Sequence, residues 1–363
     1  MPRLARDATR ATVLVRLDAS GAVGAGHLMR QVALAEALGR HGAEAVFLMG
    51  GGGPFPGLAR ERGVRVVTLD APSGSPSDLE RLAALAVDVD ARVVVLDGYA
   101  FDAAYVGAAS ALRPTVVFDD LGHVRLPADA IVNAALDAEA LPYERREGRP
   151  RLLLGPAFVL LRSEFVGPAR PAPEAGPRTR LLLSFGGSDP TEATARVLGT
   201  LRAPPFDVTV VRGPGCSASE ALDAAVATAR SWGHAVAVQS DVRDMAALME
   251  ACDLAIVAAG TTLWELASLG VPTVAFAVAP NQEPNATRLH DAGALLYGGR
   301  IDALTDAELE TWLADVLHHP DRLARLGERA ATLVDGRGAD RVARAVLEVA
   351  GIGTPLPTIA PGP

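Results

Sequence analysis

Lysine is missing altogether: all 34 basic residues of the 363-residue chain are arginine. A Schiff-base enzyme of the pyridoxal-phosphate or aldolase type needs a lysine amine, and a Walker-A phosphate loop sets lysine on the terminal phosphates, so both chemistries are excluded. Cysteine is nearly as scarce. Cys216 and Cys252 stand far apart, which excludes a disulfide framework or a cysteine metal knuckle and fits a reducing cytoplasm. Aromatic residues are only 4% of the chain, and acidic residues outnumber basic ones 43 to 34, for a formal charge of −9. Without a basic stripe, such a chain does not suit nucleic acid as its main partner. Long apolar runs are lacking too. The longest uncharged stretch, residues 266–282, contains Pro272 and falls below the ~18 apolar residues of a membrane span. Arg3, Arg6, Arg10 and Arg16 leave too short an apolar run between them for a signal peptide. The expectation is a cytoplasmic protein with no stable membrane insertion.

What is present is a rhythm. Short Val- and Leu-rich segments at 12–17, 45–49, 64–69, 93–96 and 115–118 alternate with helix-compatible or turn-rich sequence. After a proline-rich stretch the pattern resumes, at 181–185, 208–211, 235–239, 254–258 and 273–278. Buried apolar strands alternating with helices predict parallel sheets covered on both faces. The expected fold class is therefore α/β, with two Rossmann-like domains facing across a cleft. Their expected bounds are 1–165 for a catalytic or acceptor domain, 166–178 for the linker, 179–350 for a nucleotide-binding domain and 351–363 for a flexible tail.

Ligands of such sheets bind past the carboxyl ends of the strands, which directs attention to the segments just after them. The first strand runs into Gly21-Ala22-Val23-Gly24-Ala25-Gly26-His27-Leu28-Met29-Arg30, a glycine-rich turn opening a helix. Small residues such as Gly26 let a ligand approach the backbone. His27 falls at the helix N-terminus, where the dipole disfavours added positive charge and a neutral imidazole can serve as a base. A helix cap or a satisfied loop histidine would look the same. Arg16 and Asp18 end the first strand, and Asp97-Gly98-Tyr99 ends a later one. A carboxylate near an imidazole can hold its tautomer, and a tyrosine can orient a sugar oxygen or a water, although strand-end aspartates often only form turns. Asp119-Asp120 could bind a metal, but without a third ligand at a recognisable spacing the pair reads as turn and hydrogen-bond residues. In the second half, Ser184-Phe185-Gly186-Gly187-Ser188-Asp189-Pro190 can form either a phosphate-binding turn or a simple cap. Ala258-Ala259-Gly260-Thr261-Thr262-Leu263-Trp264-Glu265 offers backbone N–H groups and hydroxyls at a helix start, with Glu265 placed to accept ribose hydroxyls. Asn281 and Gln282 follow the next strand.

Together with LLGPAFVLLRSEF at 153–165 and MAALMEACDLAI at 245–256, these motifs occur in an order that resembles the PseG/SpsG family. Those proteins are nucleotide-sugar hydrolases of pseudaminic acid and related surface-polysaccharide biosynthesis, on a MurG-like glycosyltransferase-B (GT-B) fold. The resemblance implies a hydrolase that releases UDP from a UDP-2,4-diacetamido-2,4,6-trideoxyhexose by attack of water at the anomeric carbon. It implies His27 as the base, with Asp18 and Tyr99 as catalytic partners. Gly187, Ser188, Gly260, Thr261, Thr262 and Glu265 would hold UDP, Asn281 and Gln282 would face the sugar, and Arg16, Gly26 and Arg30 would contact the substrate. Neither a cofactor nor a metal is implied. The alternative on the same fold is a glycosyltransferase that replaces water by a hydroxyl acceptor.

Overall fold

The computed structural model describes residues 10–18, 25–122, 125–143, 150–167, 176, 178–189, 191–202, 205–216, 219–240 and 242–352. Residues 19–24 of the glycine-rich turn, Pro190, most of the expected linker and the tail beyond 352 lie outside these. The chain divides into two compact units. One holds the first strand, His27–Arg162 and the segment from Arg337; the other holds Ser163–Gly336 together with Gly24–Gly26.

The first unit is built on seven strands: β1 (Ala11–Leu17), β2 (Ala43–Gly50), β3 (Arg65–Leu69), β4 (Ala91–Asp97), β5 (Thr115–Phe118), β6 (Ala130–Asn133) and β7 (Arg151–Leu154). They lie in the order β3-β2-β1-β4-β5-β6-β7, with every neighbouring pair parallel. A parallel pair needs a crossover, and α1 (Gly26–Arg40), α2 (Phe55–Glu61), α3 (Pro76–Asp88) and α4 (Ala103–Leu112) supply the first four. Central strands covered on both faces must be apolar on both, which is why β4 reads Ala-Arg-Val-Val-Val-Leu-Asp and buries all but Arg92.

The second unit repeats the plan with β8 (Arg180–Ser184), β9 (Asp207–Arg212), β10 (Ala235–Ser240), β11 (Leu254–Ala258), β12 (Thr273–Ala277) and β13 (Leu296–Arg300), ordered β10-β9-β8-β11-β12-β13 and all parallel. Its helices are α5 (Ala193–Leu198), α6 (Glu220–Ser231), α7 (Met245–Glu250), α8 (Thr262–Leu269), α9 (Glu283–Asp291), α10 (Asp306–Leu317) and α11 (Pro320–Ala331). Phe185, Phe276 and Trp312 pack ring against ring in its core, with centroids 6.5 and 5.3 Å apart. In each sheet the order reverses once, between β1 and β4 and between β8 and β11. At such a switch point two neighbouring crossovers leave in opposite directions, opening a crevice past the strand ends.

One boundary differs from expectation. The last helix, α12 (Gly338–Val349), was assigned to the second domain, but it packs on β4, β5 and β6 of the first. Its ion pairs point the same way, Asp340 to His41 at 2.6 Å and Glu348 to Arg151. Gly338 permits the contact, because a Cβ there would run into the carbonyl of Val159. Gly338→Ala is therefore expected to lower stability by about 1–3 kcal/mol, the usual cost of overpacking, read as a lower urea midpoint by circular dichroism.

Candidate active site

Three residues of α1, His27, Arg30 and Gln31, are spaced i, i+3 and i+4 and so share one face of the helix. That face meets Asp97, the last residue of β4, whose side chain is fully buried. Arg30 grips this carboxylate with both arms, Nε to Oδ2 at 2.7 Å and Nη2 to Oδ1 at 2.5 Å, and Gln31 Nε2 donates to Oδ2 at 2.7 Å. His27 Nδ1 lies 3.0 Å from Asp97 Oδ1, at hydrogen-bond distance but off the line of a straight bond. On the other side of the ring, Nε2 is 3.8 Å from Oδ2 of the partly exposed Asp120, which Arg30 Nη1 also pairs at 2.8 Å. Tyr99 meets the imidazole edge to face, centroids 4.9 Å apart, and Phe118 lies under the Arg30 guanidinium at 5.2 Å.

The electrostatics follow from burial. Desolvation alone would raise the Asp97 carboxyl, yet the charge and hydrogen bonds of Arg30, with His27 close by, hold it far below the ordinary carboxylate range. For Arg30 desolvation works against the charge, and Asp120 and Asp97 override it, so the guanidinium stays protonated well above its usual value. A permanent anion beside Nδ1 favours the tautomer with its proton there. Nε2 then carries the lone pair, which makes this nitrogen competent to take a proton from water or a hydroxyl.

Of the residues expected here, His27, Tyr99 and Arg30 come together around Asp97, and Gly26 opens α1. Asp18 joins the same strand edge: its N–H donates to the Asp97 carbonyl at 2.9 Å, and its side chain packs against Gly98. Arg16 turns elsewhere. It is 1% exposed and paired with Asp78 through Nε at 2.8 Å and Nη2 at 2.9 Å, so its charge is committed within the protein. Sequence reasoning missed Gln31, which the i, i+4 spacing from His27 could have found. Of the adjacent aspartates, Asp119 has the turn role, accepting from the backbone of Leu121 and Gly122, and Asp120 the hydrogen-bond role, accepting from Arg30 Nη1 at 2.9 Å.

In the second unit the expected residues fall in three loops, two of them at the switch point and the third after β12. Gly187 and Ser188 follow β8, where the Gly187 carbonyl accepts from Gly215 N–H at 2.7 Å and Asp189 caps α5 through Ala193 and Thr194. Gly260, Thr261 and Thr262 follow β11 and lead into α8, with Glu265 buried one turn in. Gln282 Oε1 accepts from Val278 N–H at 2.9 Å, while its Nε2 comes near Gly260; Asn281 is exposed. Among the described residues, no group of three or more His, Cys, Asp or Glu side chains could hold a metal, and no helix is long and apolar enough to cross a membrane.

Residues 185–342 match the glycosyltransferase family 28 C-terminal domain. The chain is 27% identical over 220 residues to the spore coat polysaccharide biosynthesis protein SpsG of Bacillus subtilis, covering 59% of this chain and 63% of that one. An uncharacterized protein of Methanocaldococcus jannaschii is 26% identical over 272 residues, 72% of this chain and 54% of its own length. The chain thus spans less than two thirds of both these curated relatives. It is also 29% identical over 353 residues to the UDP-N-acetylglucosamine–N-acetylmuramyl-(pentapeptide) pyrophosphoryl-undecaprenol N-acetylglucosamine transferase of Burkholderia vietnamiensis, covering 83% and 94%. Among solved structures, Acinetobacter baumannii MurG superimposes with a TM-score of 0.67 at 16% identity, over 93% of this chain and 99% of that one. The fold is GT-B.

Asp97→Asn is expected to cost about 3–5 kcal/mol, because it leaves the Arg30 charge buried with half its compensation gone. Since Asp97 ionises more readily folded than unfolded, its contribution is complete above about pH 5 and shrinks as the pH falls below ~4. Urea unfolding of both proteins from pH 7 to 3 checks this: the gap between wild type and variant should close toward the acid end.

Proposed function

We propose that this chain is a nucleotide-sugar-utilising enzyme, and more narrowly a hydrolase that releases UDP from a UDP-2,4-diacetamido-2,4,6-trideoxyhexose. The observation that carries this reading is the His27 ring, with Nδ1 against a permanently charged buried carboxylate and Nε2 turned toward the partly exposed Asp120. The likeness to SpsG and the family 28 C-terminal domain support it. In the reaction, His27 Nε2 takes a proton from water as the water oxygen bonds to the anomeric carbon. The bond from that carbon to the β-phosphate oxygen breaks, and UDP departs with the electron pair. Asp97 stabilises the imidazolium that forms, and Tyr99 limits where the ring can turn. The backbone N–H groups and hydroxyls of Gly187, Ser188, Gly260, Thr261 and Thr262 are assigned to the diphosphate, Glu265 to the ribose hydroxyls, and Asn281 and Gln282 to the sugar.

A transferase is the second reading, favoured by the alignment with the Burkholderia vietnamiensis transferase over 94% of that protein. There a hydroxyl stands where the water would. Release of UDP from a panel of UDP-deoxyamino sugars, measured with no acceptor present, separates the two. A hydrolase releases UDP under these conditions, and His27→Ala is expected to lower kcat by ~10²–10⁴-fold while the Kd for UDP stays within about threefold. Release that begins only with an added hydroxyl acceptor would identify the transferase, and release indifferent to His27 would remove it as the base. Separately, Glu265→Gln is expected to weaken UDP about tenfold, the loss of a hydrogen bond to a charged group, and to leave binding of 2′,3′-dideoxy-UDP unchanged by calorimetry.

A further inference from the structure

Ser73 lies in the loop between β3 and α3, among residues to which sequence reasoning gave no role. It sits between two charged side chains. Arg16 Nη2 is 2.7 Å from its Oγ, and Oγ is 2.6 Å from Asp18 Oδ1. The directions of these bonds follow from chemistry alone. A guanidinium has no acceptor, so Arg16 donates and occupies a lone pair of the serine oxygen. The serine proton is then available to one acceptor, and the carboxylate of Asp18 takes it.

The serine is held from several sides. Asp78, fully buried, pairs with Arg16 and accepts from Gly74 N–H at 2.8 Å and Tyr105 Oη at 3.1 Å. Gly74 has φ +74°, and a Cβ there would strike the carbonyl of Ala100, so the turn is pressed against the segment after β4. Ser75 caps α3 by accepting from Asp78 N–H at 3.2 Å. Arg16 itself is stacked on Phe101 at 5.2 Å. The chain Asp78, Arg16, Ser73, Asp18 thus carries the rigidity of a buried ion pair to a carboxylate beside Gly98, one residue from Asp97 and one from Tyr99.

We propose that Ser73 is a positioning residue that holds Asp18 as an acceptor-only carboxylate, with Oδ1 occupied so that Oδ2 receives an O–H or N–H donor of the sugar. The proposal rests on the reading of this chain as a nucleotide-sugar enzyme, and it holds for hydrolase and transferase alike. A hydroxyl and a ring acetamide both supply such a donor, whereas UDP alone has none in that part of the molecule.

Calorimetric binding in the His27→Ala background, which prevents turnover, tests it with two probes: UDP-2,4-diacetamido-2,4,6-trideoxy-β-L-altrose and UDP. Ser73→Ala is expected to weaken the intact nucleotide sugar about tenfold or more and UDP less than twofold. Ser73→Thr, which keeps the hydroxyl, should restore the affinity. In an Asp18→Ala background, Ser73→Ala should add no further loss, since the serine acts through that carboxylate. Equal weakening of both ligands would mark a merely structural role and overturn the proposal, as would no change, or losses that multiply in the double variant. A nucleotide sugar that binds no differently from UDP in any of these proteins would also overturn it. Binding that obeys the pattern, in a wild type that releases no UDP with or without acceptor, would instead refute the proposed reaction and leave Ser73 in its role.

Discussion

A fully buried carboxylate has to be compensated or neutralised, and the first unit is arranged around that constraint at Asp97. Removing such an anion from water costs several kcal/mol unless fixed donors replace the solvent. Here the donors all come from one face of α1. The helix is consequently fastened to the end of β4 by polar bonds as well as by its apolar side, and its N-terminus cannot slide relative to the strand without unpairing a charge. The position of His27 follows from this. The same contacts that satisfy Asp97 bring the imidazole against it, so stability and the proposed chemistry draw on one carboxylate.

Much of this was legible in the sequence, and the reasons for success and failure are physical. Parallel strands buried on both faces leave a run of Val and Leu that no exposed segment would tolerate, and the glycine-rich turn into a helix marks the first crossover. Three strands escaped: β6 and β7, though β5 with the same four residues did not, and β13, Leu-Tyr-Gly-Gly-Arg, which looks like a turn. These are strands because a neighbouring strand already offers its edge, and that information is not local. The helical pattern of α12 was plain, but which sheet it covers depends on distant partners, such as Arg151 for Glu348, 197 residues earlier.

Charged residues were the hardest to assign. Arg16 and Asp18 both end β1 and look alike as candidates for a ligand. Two positions apart, they lie on the same face of the strand, yet Asp78, 62 residues away, claims only Arg16. The pairing partner decides the role, and a strand end seen alone does not name it. Asp119 and Asp120 make the same point in adjacent positions: one is held by turn N–H groups, the other by Arg30.

The return of α12 to the first sheet also orders events in time. As the chain leaves the ribosome from its N-terminus, β1 to β7 emerge first, yet their sheet lacks the helix that covers β4, β5 and β6 until about 195 further residues have been made. The second unit, a continuous stretch apart from a short segment leading into α1, has all its parts before that helix exists. Translation therefore delivers a complete second unit while the first still exposes apolar strand surface, and this interval is when the nascent chain is most open to aggregation or to chaperones.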